Sequence, residues 1–151
     1  MDLNQLQIKF REQFGESNEP IRAFFAPGRI SLLGEHLDYN GGFALPCALS
    51  LGTYLLIRKA GDGLLKMASL NRDSILKISV EQITKKVGNE WWNYPLGIFH
   101  EFQKCIPVEH GVEMLFAGDL PISAGLSSSA SIQVVTAFAL NELIIALCEL
   151  Q

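Results

Sequence analysis

Pro121-Ile-Ser-Ala-Gly-Leu-Ser-Ser-Ser-Ala130 is the stretch around which this chain is organised. An apolar run with strand character, Val112 to Phe116, leads into it, and a long apolar run with helical character leads out of it from near Ser127. A Gly-Ser loop that opens a helix is a physical recipe for binding phosphate. The first turn of a helix has backbone N–H groups without intrahelical partners, and the macrodipole adds roughly half a positive charge there. Gly125, with no Cβ, lets the backbone approach a ligand closely. Ser127, Ser128 and Ser129 add hydroxyls that donate to phosphate or ligate Mg²⁺, which prefers hard oxygen ligands. No Gly-Lys-Ser/Thr occurs anywhere, so this is not a Walker A loop. A metal ion and the helix terminus would then carry the charge neutralisation. The plain alternative is that Ser127 only caps a helix, as serine often does.

Downstream, residues 127–150 read as the last helix. Ile132, Val134, Val135, Phe138, Leu140, Leu143, Ile144, Ile145 and Leu147 cannot all point one way, so burial on most faces is expected. Asn141 and Glu142 interrupt the apolar run, and no basic flank follows it. A polar pair is costly inside a bilayer, so a membrane span is not the reading. The helical pattern meets no Gly, Pro or basic last turn before Gln151, which reads as an interruption.

Upstream, Leu3, Leu6, Phe10 and Phe14 recur at helical spacing over residues 2–15, with Gly15 as a C-cap. Pro20 to Ala26 reads as a short strand that Pro27-Gly28 breaks, and Arg29 to Gly34 is apolar again. Glu35 to Gly42 is a polar loop, and Phe43 to Ile57 holds a turn followed by a strand. Gly61-Asp62-Gly63 predicts a hairpin between a strand ending at Lys59 and one over Leu64–Ala68. Ile75 to Val80 alternates as a strand, whereas Glu81 to Val87 is ambiguous. Leu96, Phe99 and Phe102 mark a helix over Tyr94–Cys105, which Pro107 ends. Hairpins mixed with helical crossovers make the class α+β.

The chain has 151 residues, 48% hydrophobic and 19% charged, which is a globular composition with room for a core. A net charge of −4 without a Lys/Arg cluster argues against nucleic acid as a partner. Cys47, Cys105 and Cys148 show no metal-ligand spacing, and the N-terminus has no basic and apolar leader pattern. Reduced thiols and a cytoplasmic location are the default expectation.

A second polar motif lies at Ala26-Pro-Gly-Arg-Ile-Ser-Leu-Leu-Gly-Glu-His-Leu-Asp-Tyr-Asn-Gly-Gly42. Glu35 and Asp38 can each accept hydrogen bonds from vicinal hydroxyls, the pattern that a sugar presents. Arg29 is a permanent cation with a planar fork, suited to a transferring phosphoryl group. An ordinary solvated loop with Arg29 in a surface ion pair is the alternative.

Taken together, the two motifs resemble those of the galactokinase family among the GHMP kinases. Gly34-Glu-His-x-Asp-Tyr-Asn-Gly-Gly42 resembles the galactokinase signature, Gly125-Leu-Ser-Ser-Ser-Ala130 resembles the GHMP ATP-binding motif, and Trp92-Asn-Tyr-x-x-Gly97 looks like a further run of that family. The resemblance implies a GHMP-kinase N-terminal domain, with a mixed sheet packed against helices. It implies transfer of the ATP γ-phosphoryl group to the C1 hydroxyl of galactose, with ATP and Mg²⁺ as cofactors. Glu35, His36 and Asp38 take the sugar-contact positions, and Arg29 the position beside the C1 hydroxyl and γ-phosphate. Gly125, Leu126, Ser127, Ser128, Ser129 and Ala130 form the phosphate loop, with Ser129 assigned to the metal. Ser31, Leu37 and Gln133 depart from the family's usual Asn, Thr and Glu. The family's catalytic Asp, a metal-binding Glu and its third motif match nothing up to Gln151. The expectation is therefore an N-terminal portion spanning 1–151 without its C-terminal domain. Such a chain should be inactive alone and should recruit the missing half, or self-associate, through its apolar last helix. A galactose-sensing regulator on the same fold and a kinase for N-acetylgalactosamine remain open beside it.

Overall fold

A computed structural model describes residues 1–84, 86–106, 108, 110–121 and 126–148, with the backbone alone for Asp38 and residues 144–148. The chain runs α1 (Leu3–Phe14), β1 (Arg22–Leu33), a 3₁₀ turn (Asp38–Asn40), β2 (Leu45–Ala60), β3 (Leu64–Ser69) and β4 (Arg72–Ser79). A second 3₁₀ turn (Val80–Gln82), α2 (Asn93–Cys105), β5 (Gly111–Gly118) and α3 (Ser128–Cys148) follow. The strands form a single mixed sheet in the order β1-β2-β5-β3-β4. The class is α+β, as the pattern predicts.

Seven of the eight residues of β5 are buried, which suits the centre of a sheet covered on both faces. It pairs antiparallel with β2 and parallel with β3. Side chains alternate along each strand. Leu56, Leu115 and Ala117 meet Leu6 and Phe10 of α1 on one face. Leu55, Ile57, Met114 and Phe116 meet Leu96 and Phe99 of α2 and Val135, Ala139 and Leu140 of α3 on the other. Each large side chain so buried stabilises the fold by about 1.5–3 kcal/mol.

α1 begins where the Asp2 side chain accepts from Asn4 N at 2.9 Å. It ends at Gly15, with φ +84°, whose N–H donates to Arg11 O. Beneath it lies a buried charge cluster. Arg58 Nε donates to Glu113 Oε2 at 2.7 Å, and Lys66 Nζ donates to Glu113 Oε1 at 3.0 Å. Arg58 Nη2 also donates to Gly15 O at 2.9 Å, and the guanidinium lies 5.1 Å over the Phe10 ring. The charges thus tie the open carbonyls of α1 to the sheet.

The fold corrects several sequence expectations. Pro27-Gly28 does not break the strand. β1 runs through it, with a shift of register between Pro27 and Arg29. β1 lies at the sheet edge, where a proline need not donate to a ladder. Gly61–Gly63 does form a turn, but β2 and β3 are not a hairpin, because β5 lies between them. A strand that is apolar except for Glu113 gains more by separating two neighbours than by taking an edge. β4 starts at Arg72, and Val80 already belongs to the following 3₁₀ turn. α2 ends at Cys105; Pro107, predicted to end it, lies outside the described residues. α3 buries Val135, Ala139, Leu140 and Leu143 yet leaves Val134 and Phe138 more than half exposed. Its other faces are thus less covered than the apolar pattern predicts.

Candidate active site

The helix start differs from a plain serine cap. Ser127 has φ +57°, while its carbonyl accepts the first helical bond from Ser131 N at 3.0 Å. An ordinary N-cap residue is extended. A left-handed residue followed by helical Ser128 turns successive N–H groups toward one point, an anion-binding concavity. Gly125 and residues 122–124 lie outside the described residues. Leu126 and Ser127 are half-buried, Ser128 and Ala130 are exposed, and Ser129 is half-buried.

The loop is held at both ends. After it, the buried Ser131 hydroxyl contacts Ala26 O at 2.7 Å and Thr53 Oγ1 at 2.9 Å, fixing the first turn of α3 to β1 and β2. Before it, Asn71 acts as a short artificial strand: Gly118 N donates to Asn71 Oδ1 at 2.8 Å, and Asn71 Nδ2 donates to Gly118 O at 3.0 Å. Asp119 Oδ1 accepts from Gly52 N at 2.7 Å, and Asp119 N donates to Gly52 O at 3.2 Å. These four residues escaped sequence reasoning. Only Ser131 carried a signal, a hydroxyl set into an apolar helix. The clamps of Asn71 and Asp119 arise from the fold.

Ser128 and Ser129 line a cleft of about 390 Å³ together with Arg72, Trp91, Tyr94 and Phe116. Trp91 packs edge-on against Phe116, centroids 5.5 Å apart, and donates Nε1–H to Ser74 Oγ at 3.1 Å. Trp92 and Asn93, although part of the quoted family run, hold structure instead. Trp92 Nε1 donates to Val87 O at 2.9 Å, and Asn93 Oδ1 accepts from Val87 N at 2.9 Å.

The second motif occupies the far end of β1 and the turn after it. Arg29 N donates to Leu126 O at 3.2 Å, so this strand and the serine loop share a backbone bond. A Cβ on Gly28 would fall 2.5 Å from Leu120 Cδ2 and 2.9 Å from Leu126 O. The Arg29 side chain is exposed and takes part in no salt bridge among the described residues. From Arg29 to Gly34 the extended path is about 17 Å, so the turn begins that far along β1 from the contact with Leu126. Gly34, φ +83°, lets the turn close, since a Cβ there would sit 2.7 Å from Ala44 Cα. Leu37 N donates to Gly34 O at 2.9 Å and Gly42 N to Leu37 O at 2.8 Å. Glu35 and His36 are exposed on this turn. Asp38 lies in the 3₁₀ turn, and its side chain is outside what the structure describes. The structure thus places Glu35, His36 and Asp38 in one tight turn, and Arg29 against the loop that carries Leu126 to Ala130.

A helix that starts at a left-handed serine, a cleft beside it with aromatic lining and a polar turn on an adjoining strand are the features to set against known proteins. Residues 93–149 match the family model for the GHMP kinases N terminal domain, and residues 8–59 match the galactokinase galactose-binding signature. The fold is that of the GHMP-kinase N-terminal domain, shared for instance with the Methanococcus jannaschii mevalonate kinase at a TM-score of 0.71 and 23% identity over 85% of this chain and 41% of that one.

Within that class the chain resembles the N-terminal portion of galactokinases. It is 46% identical to the galactokinase of Bacillus subtilis over 87% of this chain and 34% of that protein. It is 42% identical to that of Fusobacterium nucleatum over 93% and 37%. The Lactococcus lactis galactokinase, solved in complex with galactose, superposes with a TM-score of 0.86 at 36% identity, covering 94% of this chain and 37% of that one. The chain spans about a third of the length of the curated relatives it matches. No helix among the described residues is long and apolar enough to cross a membrane.

Proposed function

We propose that this chain supplies the sugar- and nucleotide-binding part of a galactokinase, which transfers the γ-phosphoryl group of ATP to the C1 hydroxyl of galactose in the cytoplasm. The observation that carries the reading is the backbone bond from Arg29 N to Leu126 O, which joins the galactose-type motif to the phosphate-type loop. In this reading the nucleotide base enters the cleft beside Trp91 and Tyr94, whose rings give it stacking area, with the buried Phe116 behind Trp91. The phosphates meet the N–H groups at Ser127 to Ser129, with Gly125 and Ala130 flanking them. Glu35, His36 and Asp38 hold the sugar hydroxyls. Arg29, exposed beside the serine loop, turns its guanidinium to the group in transfer.

Mg²⁺ fits this site through the Ser129 hydroxyl, a hard oxygen, since the ion keeps waters and phosphate oxygens for its other positions. When bound it neutralises charge on the phosphates. The residue that orients or deprotonates the C1 hydroxyl is assigned to sequence outside this chain. In this reading the exposed apolar residues of α3, Val134 and Phe138, are surface for a part of the enzyme outside this chain to cover.

Calorimetric titration with galactose tests the reading. Asp38→Ala should abolish binding while stability changes little, because unpaired hydroxyls cost about 1–3 kcal/mol each. Galactose affinity unchanged in the variant would sink the sugar assignment. Gly125→Val should abolish ATP binding, and ATP affinity unchanged in it would sink the nucleotide assignment.

A further inference from the structure

The arginines of the chain divide into paired and unpaired ones. Arg11, Arg22 and Arg58 each meet a glutamate. Arg29 and Arg72 take part in no salt bridge among the described residues. Both unpaired arginines stand at the serine loop. Arg29 reaches it through the backbone bond to Leu126 O at 3.2 Å, and Arg72 lines the cleft that Ser128 and Ser129 also line. A guanidinium without a carboxylate, beside a helix start, suits an anion.

The sheet register fixes the side on which Arg72 leaves the sheet. Phe116 of β5 pairs with Ser69 of β3, and Ser69 pairs with Arg72 of β4. Residues opposite one another in adjoining strands project from the same face. Phe116 belongs to the core under α2 and α3, so Arg72 projects on the side of those helices. Alternation along β4 agrees with this. Ser74 Oγ accepts from Trp91 Nε1 at 3.1 Å, and Leu76 lies in the same core. The position is held as well as aimed. Leu70 and Asn71 make the turn between β3 and β4, and the Asn71 side chain is tied to Gly118 N and O at 2.8 and 3.0 Å. Gly118 ends β5, the strand that leads to the serine loop. Arg72 thus follows directly on a turn anchored at the root of that loop. Its side is open: Arg72, Trp91 and Tyr94 also line a second cavity of about 520 Å³, and Glu90 in that wall makes no salt bridge with Arg72.

We propose that Arg72 is a nucleotide-binding residue that donates to the α- and β-phosphates of ATP. The proposal rests on the nucleotide half of the function proposed above. Arg72 shares one cleft with Trp91 and Tyr94 on the one hand and with Ser128 and Ser129 on the other, the span from base to phosphates. Arg29 lies on the strand that leads away to the sugar-type turn, so the group in transfer falls to Arg29 and the two inner phosphates to Arg72. The serine loop contains no lysine, and Arg72 supplies the fixed cation that the loop lacks. A guanidinium has five N–H donors and no acceptor, so the direction of these bonds is set by residue type. Its planar fork can take two phosphate oxygens at once.

Calorimetric titrations of the full chain with Mg-ADP, Mg-ATP and adenosine test this in the parent, Arg72→Gln and Arg72→Lys. Arg72→Gln should weaken ADP and ATP alike by about tenfold, the loss of one charge-assisted contact, and should leave adenosine within about twofold. Arg72→Lys keeps the charge and loses the fork, so it should lose less. Added salt should weaken ADP binding more in the parent than in Arg72→Gln, because the parent has the extra cation to screen. A role in shaping the cleft would weaken adenosine as much as ADP and leave the salt dependence unchanged; that result overturns the proposal. A loss for ATP without one for ADP overturns the division of phosphates between Arg29 and Arg72. ADP bound equally well by the parent and Arg72→Gln overturns the proposal while the nucleotide reading stands. A parent that binds neither ADP nor ATP overturns that reading, and the proposal with it.

Discussion

β1 and β2 are paired from end to end, yet their two halves live in different surroundings. From Thr53 to Arg58, β2 buries Leu55, Leu56 and Ile57 completely between α1 and the two other helices. From Leu45 to Leu51 the same strand is exposed, and its partner exposes Leu32 and Leu33. Both halves are apolar and paired antiparallel, the buried one in unbroken register from Arg22 to Pro27 and the exposed one with shifts of register between Pro27 and Arg29 and between Ser31 and Leu33. Packing partners make one half a core and leave the other as an arm that carries Glu35, His36 and Asp38 at its tip. Stability should reside in the first half and ligand recognition in the second.

The largest effect that tests this division is expected at Glu113. Glu113→Ala leaves Arg58, 2% exposed, without its carboxylate. Removing one partner of a buried pair costs about 3–5 kcal/mol, to be read from urea unfolding. The double variant Arg58→Met, Glu113→Leu should recover most of that loss, since apolar replacement of a whole buried pair is often neutral. A single variant within about 0.5 kcal/mol of the parent would show that the cluster contributes nothing to the core.

Leu55→Ala should cost about 2–5 kcal/mol, as for a fully buried leucine. Leu33→Ala, at a residue 69% exposed on the paired arm, should stay within about 0.5 kcal/mol. Equal losses at the two positions would break the comparison, and chemical denaturation of both variants decides it.

Gly28→Ala probes the boundary between the halves. The added Cβ meets Leu126 O, a backbone atom that carries the serine loop. ATP affinity should fall by about tenfold, the equivalent of 1.4 kcal/mol, with a smaller change in galactose affinity. Titration calorimetry with each ligand separates the two. An equal fall for both would mean that the strand and the loop move as one body.

Most elements were legible because their periodicity is local: α1, α2, β5 and α3 each follow from spacing that one segment contains. The failures were of another kind. The Gly61–Gly63 turn has hairpin chemistry, but its strands part for β5, a decision made by a strand some 50 residues later. Pro27 reads as a breaker in sequence, yet it is harmless at an edge whose position only the assembled sheet defines. At the site, Glu35, His36 and the serines were legible because their chemistry is carried by residue type. The left-handed Ser127 and the clamps of Asn71 and Asp119 depend on geometry that type does not encode. The Trp91 side chain lines the cleft while Trp92 supports the chain behind it, a difference of facing that two adjacent identical letters cannot show.

The smallest effect concerns pH, at the solvent edge of the same charge cluster. The hydrogen bond from Lys66 holds the Asp62 carboxyl below its ordinary 3.8. The same bond, against the penalty of burial, holds Lys66 above its ordinary 10.5. A carboxyl with a depressed folded value stabilises above 3.8, and that contribution is lost as pH falls through the folded value. A lysine with a raised folded value stabilises below 10.5, and that contribution is lost as pH rises through the folded value. The pair therefore stabilises the fold between the two values and weakens beyond either. Asp62 is 42% exposed, so solvent screening keeps the contribution below about 1 kcal/mol. Thermal unfolding of the parent and of Asp62→Asn across pH measures it. The difference in melting temperature should be flat through the neutral range and shrink toward both acid and alkali. A difference that persists unchanged well below pH 3.8 would mean that Asp62 acts through packing and not through its charge. The contrast with Glu113 would then rest on burial alone.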